Sequence, residues 1–348
     1  MNEIRLQPRT ILLAASIAIL SAACSSNPTQ NAEATTTPQT VVSTPSPAFT
    51  ATVPATETQE ATATPSPEPT VATVEPTLPS EIISDQDGMV QIYIPAGEFI
   101  MGSDDEDAKK TVAGGVASPE IPVNSVYLEG YWIDKYEITN AQYRLCVEQG
   151  PCIAPLLPDT FMGFPYYDNP EYADYPVIYV DYYMARDYCA WAGRRLPSEA
   201  EWAKAARGTD GRRYTWGDDP VTSERANFCD VNCPKTHADP NYDDGYAETA
   251  PVGSFPAGAS PYGVMDMAGN VWEWTSTIPQ PYPYDRLDGR EEPDLRARDE
   301  VVFGDGPQRV WRGGTWANGT WWLRASIRYH AVPGYWHNSL GFRCAASE

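Results

Sequence analysis

The sequence predicts an irregular α+β domain with little regular secondary structure, and three observations lead there. Helix start and stop signals occur in three places, all between Thr139 and Gly208. Strand-like alternation is confined to short pieces. Beyond Gly208 the chain reads as turns and short strands, rich in Trp, Tyr and Gly, with Pro scattered between short apolar runs.

Residues 1–23 read as a signal peptide and stand outside the fold. Arg5 and Arg9 supply the basic start, Ile11 to Leu20 is apolar apart from Ser16, and Ser21-Ala22-Ala23 precedes Cys24. The run is too short to cross a bilayer comfortably. Two cleavage rules compete. A lipoprotein signal places an acylated Cys at the first mature position, here Cys24, yet Ser21 stands where an aliphatic residue is usual. Release after an A-x-A-like site therefore stays open, which would make the protein secreted. The cysteine count favours the lipid: seven is odd for an exported chain, and acylating Cys24 leaves six to pair in an oxidising compartment. The expectation is an exported protein facing outward, with the cell membrane as partner through a lipid anchor.

Residues 24–87 read as a disordered stalk rich in Thr, Pro, Ala and Ser, and no Lys or Arg occurs between Arg9 and Lys109. Such a composition buries too little apolar surface to offset chain entropy. About 60 residues of it would reach roughly 45 Å as a flexible coil and up to about 190 Å as polyproline II. Its Thr and Ser content also allows O-glycosylation. The whole chain carries a formal net charge of −23. That field excludes nucleic acid and anionic lipid as natural partners and favours cations.

Residues 88–348 are long enough for one large core, with no second linker. Met89 to Ile94 alternates and meets the turn Pro95-Ala96-Gly97; Val126 to Leu128 and Tyr131 to Ile133 are further strand pieces. Thr139 with Gln142 forms a capping box for a helix ending at Gly150. Asp181 caps a helix running to about Ala192. Ser198 with Glu201 is a second capping box, with Trp202 and Ala205 on one face and Gly208 at the stop.

Read in order, six segments resemble the formylglycine-generating enzyme, or sulfatase-modifying factor, family. They are Ile94–Ser103 (IPAGEFIMGS), Trp132–Asn140 (WIDKYEITN), Arg195–Trp202 (RLPSEAEW), Gly263–Trp274 (GVMDMAGNVWEW), Arg312–Trp316 (RGGTW) and Leu340–Cys344 (LGFRC). The resemblance covers essentially the whole folded part. It implies a compact, largely irregular fold related to C-type lectin-like folds, with two structural calcium sites.

In that family the oxidase binds copper through two cysteines just after a Gly-Gly-Ser motif, soft thiolates suiting Cu(I). The matching stretch here, Gly313 to Arg324, has no cysteine, and neither does any position between Cys233 and Cys344. No copper and no catalytic residue are expected. His237, His330 and His337 are the only histidines, which also leaves little for an iron site.

The resemblance places a first calcium site on the side chains of Asn227 and Asp244 and the carbonyls of Phe228 and Tyr246. It places a second on the side chains of Asp266 and Glu273 and the carbonyls of Gly269 and Val271. These are the hard oxygen donors that Ca²⁺ takes. The competing reading is that Asp244 and Asp266 simply initiate turns. Cys189 and Cys344 match a family disulfide, whose loop of about 155 residues would be worth on the order of 5 kcal/mol in the chain-entropy model. A second family disulfide is absent at both ends, with Ala206 and Ala325 at its positions. Cys146 and Cys152 flank the helix stop at Gly150 and are expected to bridge it. Cys229 and Cys233 are read as a short local bridge, with zinc shared with His237 as the alternative. The family's pocket would be lined by Trp272, Thr315, Trp316, Asn318 and Arg324, a set suited to a sugar or peptide; for any single Trp, filling an irregular core is the commoner role.

Three functions follow. The first is a non-catalytic, calcium-stabilised module binding a peptide or glycan at the cell envelope. The second is a formylglycine-generating oxidase, against which the missing cysteines count. The third is an accessory protein of an envelope enzyme or kinase.

Overall fold

The computed structural model describes residues 80–114, 120–298 and 306–348. The expected signal segment at 1–23, Cys24, and the stalk up to residue 79 lie outside the described residues. The boundary expected at residue 88 moves toward the N-terminus. Glu81–Ile83 forms β1, paired antiparallel with β2 (Val90–Ile94), because Ile82 and Ile83 find a ladder partner in Gln91 and Val90.

The chain continues through β3 (Gly97–Met101), α1 (Glu106–Gly114), β4 (Asn124–Leu128) and β5 (Tyr131–Asp134). The helix α1 was not foreseen. Asp105 accepts the Ala108 N–H at 2.6 Å, and the pairs Glu106–Lys109 and Asp107–Lys110 brace its surface. The three foreseen helices follow. α2 (Asn140–Gln149) has the Thr139–Gln142 capping box and ends on Gly150 in the left-handed conformation. α3 (Tyr182–Trp191) starts on Asp181, and α4 (Glu199–Arg207) has the Ser198–Glu201 capping box. After α4 come β6 (Trp272–Trp274), β7 (Arg309–Arg312), β8 (Tyr329–Ala331), β9 (Leu340–Gly341) and β10 (Ala345–Ser347). Among the described residues no helix is long and apolar enough to cross a membrane.

Two four-stranded sheets, β1-β2-β5-β10 and β8-β7-β6-β9, and the pair β3-β4 make up the regular strands. All pairings are antiparallel except β6 with β9. The largest apolar cluster joins α2, α3 and the second sheet: Tyr143 stacks on Tyr188 with centroids 5.4 Å apart, and Phe342 meets both edge-on. A second cluster packs Trp202 of α4 against Ile92, Ile133 and Met267.

Strands this short leave long stretches of backbone without a ladder, and buried carbonyls need donors. Buried arginines supply many of them. Arg343 donates to the carbonyls of Asp134, Lys135 and Met265, tying three segments together. Arg312 donates to Ala325 and Ser326, and both Arg312 and Arg328 pair with buried Glu199.

Candidate functional site

All six cysteines of the described residues are bonded: Cys146 to Cys152, Cys189 to Cys344, and Cys229 to Cys233. The first closes the turn after α2, and the second ties α3 to the segment between β9 and β10. The third spans only Asp230-Val231-Asn232, and being oxidised it leaves no thiolates for the zinc alternative with His237. His237 instead bonds the carbonyl of Ala317 at 3.0 Å. Ala206 and Ala325 sit in one buried cluster.

The stretch that would carry the oxidase cysteines runs on from β7. Gly313 and Gly314 have φ of +102° and +76°, and a Cβ on Gly314 would lie 2.6 Å from the carbonyl oxygen of Trp322. Only glycine fits that approach. The Thr315 hydroxyl and the Trp316 N–H both donate to the carbonyl of Asn270 at 2.9 Å. Asn318 accepts the Cys229 N–H on its carbonyl, and its side-chain Oδ1 is buried without a partner. Thr320–Leu323 is a 3₁₀ turn that buries Leu323.

Of the five residues expected to line a pocket, four are packed inside: Trp272, Thr315, Trp316 and Arg324 are each at most 6 % exposed. The reason is that their polar groups are already used. The Arg324 guanidinium grips Glu120 with two contacts of 2.8 Å, Ser326 donates to the same carboxylate at 2.6 Å, and the Trp316 indole N–H reaches the Asn338 carbonyl at 3.3 Å. The open aromatic face lies beside them. Trp321, Trp322 and Tyr335 are partly buried against the main apolar cluster, and Tyr329 is 37 % exposed. Trp322 meets Trp321 edge-on at 4.8 Å and Trp272 at 6.0 Å, while Trp311 backs Tyr329 and Tyr335. The Trp311 indole N–H is buried beneath this face without a partner. Sequence reasoning missed this surface, although Trp321-Trp322 in sequence was a usable sign.

The structure brings both expected cation loops together. In the first, the Asp244 carboxylate accepts the N–H groups of Phe228 and Tyr246 at 2.9 Å each, and the Asp244 N–H donates to Asp230. Burial, with Asp230 adding to it, pushes Asp244 up to about 7. The Asn227 amide donates to the carbonyl of Glu248 and to Asn270 Oδ1, and its own Oδ1 is buried with nothing to accept. An orphaned buried oxygen, one residue from the Phe228 N–H that Asp244 holds, is what a bound cation would satisfy.

In the second, Asp266 and Asn270 take left-handed φ of +59° and +55°, with Gly269 at +88° between them. Asp266 accepts the Gly253 N–H at 2.6 Å. Glu273 accepts from Trp202 Nε1 at 2.8 Å and from Arg343 at 2.7 and 2.8 Å. Glu137, which sequence reasoning passed over, accepts Asn270 Nδ2 at 2.6 Å and the Val271 N–H at 3.2 Å. Burial, then the nearby Asp266 and Glu273, hold Glu137 well above the usual carboxylate range. Three buried carboxyl groups share the one guanidinium of Arg343, and a divalent ion here would let them ionise together. Among the described residues no three acidic, His or Cys side chains converge as a cage, so an ion here would lean on the carbonyls of Gly269 and Val271. In donor type both sets suit calcium, being hard oxygens throughout.

Residues 79–348 match the sulfatase-modifying factor enzyme 1-like domain. The formylglycine-generating enzyme of Streptomyces coelicolor is 33% identical over 297 residues, covering 73% of this chain and 88% of that protein. An inactive C-alpha-formylglycine-generating enzyme 2 from Mus musculus is 29% identical, covering 74% and 85%. The structure of PvdO from Pseudomonas aeruginosa superposes with a TM-score of 0.57 at 24% identity, over 78% of this chain and all of that one, and supports the fold. By the match over residues 79–348, this chain belongs to the sulfatase-modifying factor enzyme 1-like domain family.

Proposed function

We propose that the protein is an exported, non-catalytic member of its family: a calcium-stabilised binding module, held to the cell membrane through a lipid on Cys24, whose aromatic face takes a peptide or glycan. The observation that carries the reading is the fate of sulfur. The Gly313–Arg324 stretch holds none, and every cysteine of the described residues is closed in a disulfide. Oxidation of a substrate cysteine through a copper-bound thiolate pair needs two free thiols, and the domain offers none.

Calcium bound at Asn227, Phe228, Asp244 and Tyr246, and at Asp266, Gly269, Val271 and Glu273, would neutralise buried carboxylates and fix loops that lack ladders. Ligand contact is assigned to Trp321, Trp322, Tyr329 and Tyr335, whose flat faces suit sugar rings or peptide side chains.

The test is oxygen-dependent aldehyde formation on a cysteine-containing sulfatase peptide, with copper supplied. No aldehyde is expected, and turnover by any residue would overturn the reading. Metal analysis of dialysed protein should return two calcium ions per chain. Mass analysis of the mature N-terminus decides between acylation at Cys24 and release.

A further inference from the structure

We infer that Asn270, anchored on Glu137, is a positioning residue that couples the two cation loops to each other and to the Gly313–Trp316 segment. The inference rests on the calcium reading above. Its ground is the set of bonds made by one fully enclosed residue. Asn270 lies between Gly269 and Val271, whose carbonyls belong to the second loop, so its backbone sets their direction. Its side-chain Oδ1 accepts from Asn227 Nδ2 at 3.1 Å and from the Ala250 N–H at 2.9 Å, and its Nδ2 donates to Glu137 at 2.6 Å. Its N–H donates to the carbonyl of Asn227 at 2.9 Å, and its carbonyl receives Thr315 and Trp316.

The bond to Asn227 matters most. Because Asn227 Nδ2 is held by Asn270 and by the Glu248 carbonyl, the amide plane is fixed, and its Oδ1 is left buried without a donor. The same Asn270 amide is held by Glu137, which also holds the Val271 N–H of the second loop. Turning either amide therefore disturbs both loops. The backbones are pressed together as well: a Cβ on Gly269 would stand 2.2 Å from the Asn227 carbonyl oxygen, and Gly269 N–H bonds Gly313 O at 2.8 Å. There is no slack through which one loop could move alone. Groups that orient metal ligands from behind alter affinity roughly 10- to 100-fold when removed. Reciprocity requires that whatever an ion at one loop does to affinity at the other is returned by the same factor.

The experiment is calorimetric calcium titration of the calcium-free full chain, wild type against Asn270→Gly. Glycine keeps the left-handed backbone without strain and removes only the amide; Asn270 contributes no side-chain ligand to either loop. Wild type should take up two ions with positive coupling. The variant should lose roughly 10- to 100-fold at both sites, and its calcium-linked rise in melting temperature should shrink. A merely structural role would lower the calcium-free melting temperature and leave that rise intact. Should Asn270→Gly fail to fold, Glu137→Gln keeps size, weakens the anchor and carries the same expectation. If wild type takes up no calcium, the calcium reading and the coupling fall together. If wild type binds two ions and the variant loses affinity at the second loop alone, the coupling is wrong and the calcium reading stands.

Discussion

The buried triad of Asp87, Arg194 and Asp134 predicts a pH dependence whose sign runs against ordinary acid denaturation. Arg194 reaches both carboxylates, touching Asp134 at 3.0 Å, and all three side chains are at most 2 % exposed. Asp134 also accepts the Cys344 N–H at 2.8 Å and Gln91 at 3.4 Å. Burial raises it most, Arg194 and the Cys344 N–H pull it back, Asp87 raises it again, and the result is about 6. An unfolded Asp titrates near 3.9. Between those values the folded protein binds more protons than the unfolded one, so this group adds stability as pH falls through 6 toward 4 and withholds it above. The full swing is about 3 kcal/mol, of which about 2 kcal/mol falls between pH 4.5 and 7.5. Asp134→Asn fixes the uncharged form. The difference in unfolding free energy between variant and wild type, from urea melts with disulfides intact, should shift in the variant's favour by about 2 kcal/mol from pH 4.5 to 7.5. Taking the difference cancels the titrating groups that do not interact with Asp134. A difference that stays flat over that range would refute the assignment of a raised pKa to Asp134.

Gly314→Ala forces a side chain into a φ of +76° and against the Trp322 carbonyl, so it should cost about 1–3 kcal/mol and lower the melting temperature by several degrees in a thermal scan. Glu120→Gln takes the bidentate carboxylate from buried Arg324 and should cost about 3 kcal/mol in a denaturant melt, far more than neutralising the exposed partner of Lys109, Glu106. Opening Cys189–Cys344, with a sequence separation of 155, should cost about 5 kcal/mol, against about 2 kcal/mol for opening Cys229–Cys233, with a separation of 4. Equal losses for the two would count against loop entropy as the source.

What the sequence made legible was local. Thr139 with Gln142 and Ser198 with Glu201 announce helix starts because both partners of each cap lie within one turn. The helix α1 stayed hidden because its support is charged rather than apolar, and β1 because Glu81-Ile82-Ile83 joins a stalk-like stretch and pairs only through β2. The pocket expectation failed for a non-local reason. Arg324 looks like an exposed donor until Glu120, 204 residues earlier, is brought against it. Glu137 escaped notice likewise: its partner Asn270 is 133 residues away, and nothing near Glu137 in sequence marks it as an anchor.

The same contrast bears on what the family likeness can tell. Gly269, Gly313 and Gly314 are required where backbone passes backbone, Asn270 where two loops are joined, and Arg343 where Glu273 and three carbonyls need a donor. These demands come from packing an irregular chain, and none of them calls for sulfur. The motifs that carry the likeness are largely these residues, so the likeness measures the frame. Within Gly313–Arg324 the frame is met without sulfur: Asn318 is half-buried with its Oδ1 unpartnered, and Leu323 is buried in the apolar cluster with Phe228 and Ala268. A chain can therefore keep every packing constraint of an oxidase while offering none of its thiols, and its activity has to be argued from those atoms rather than from the fold around them.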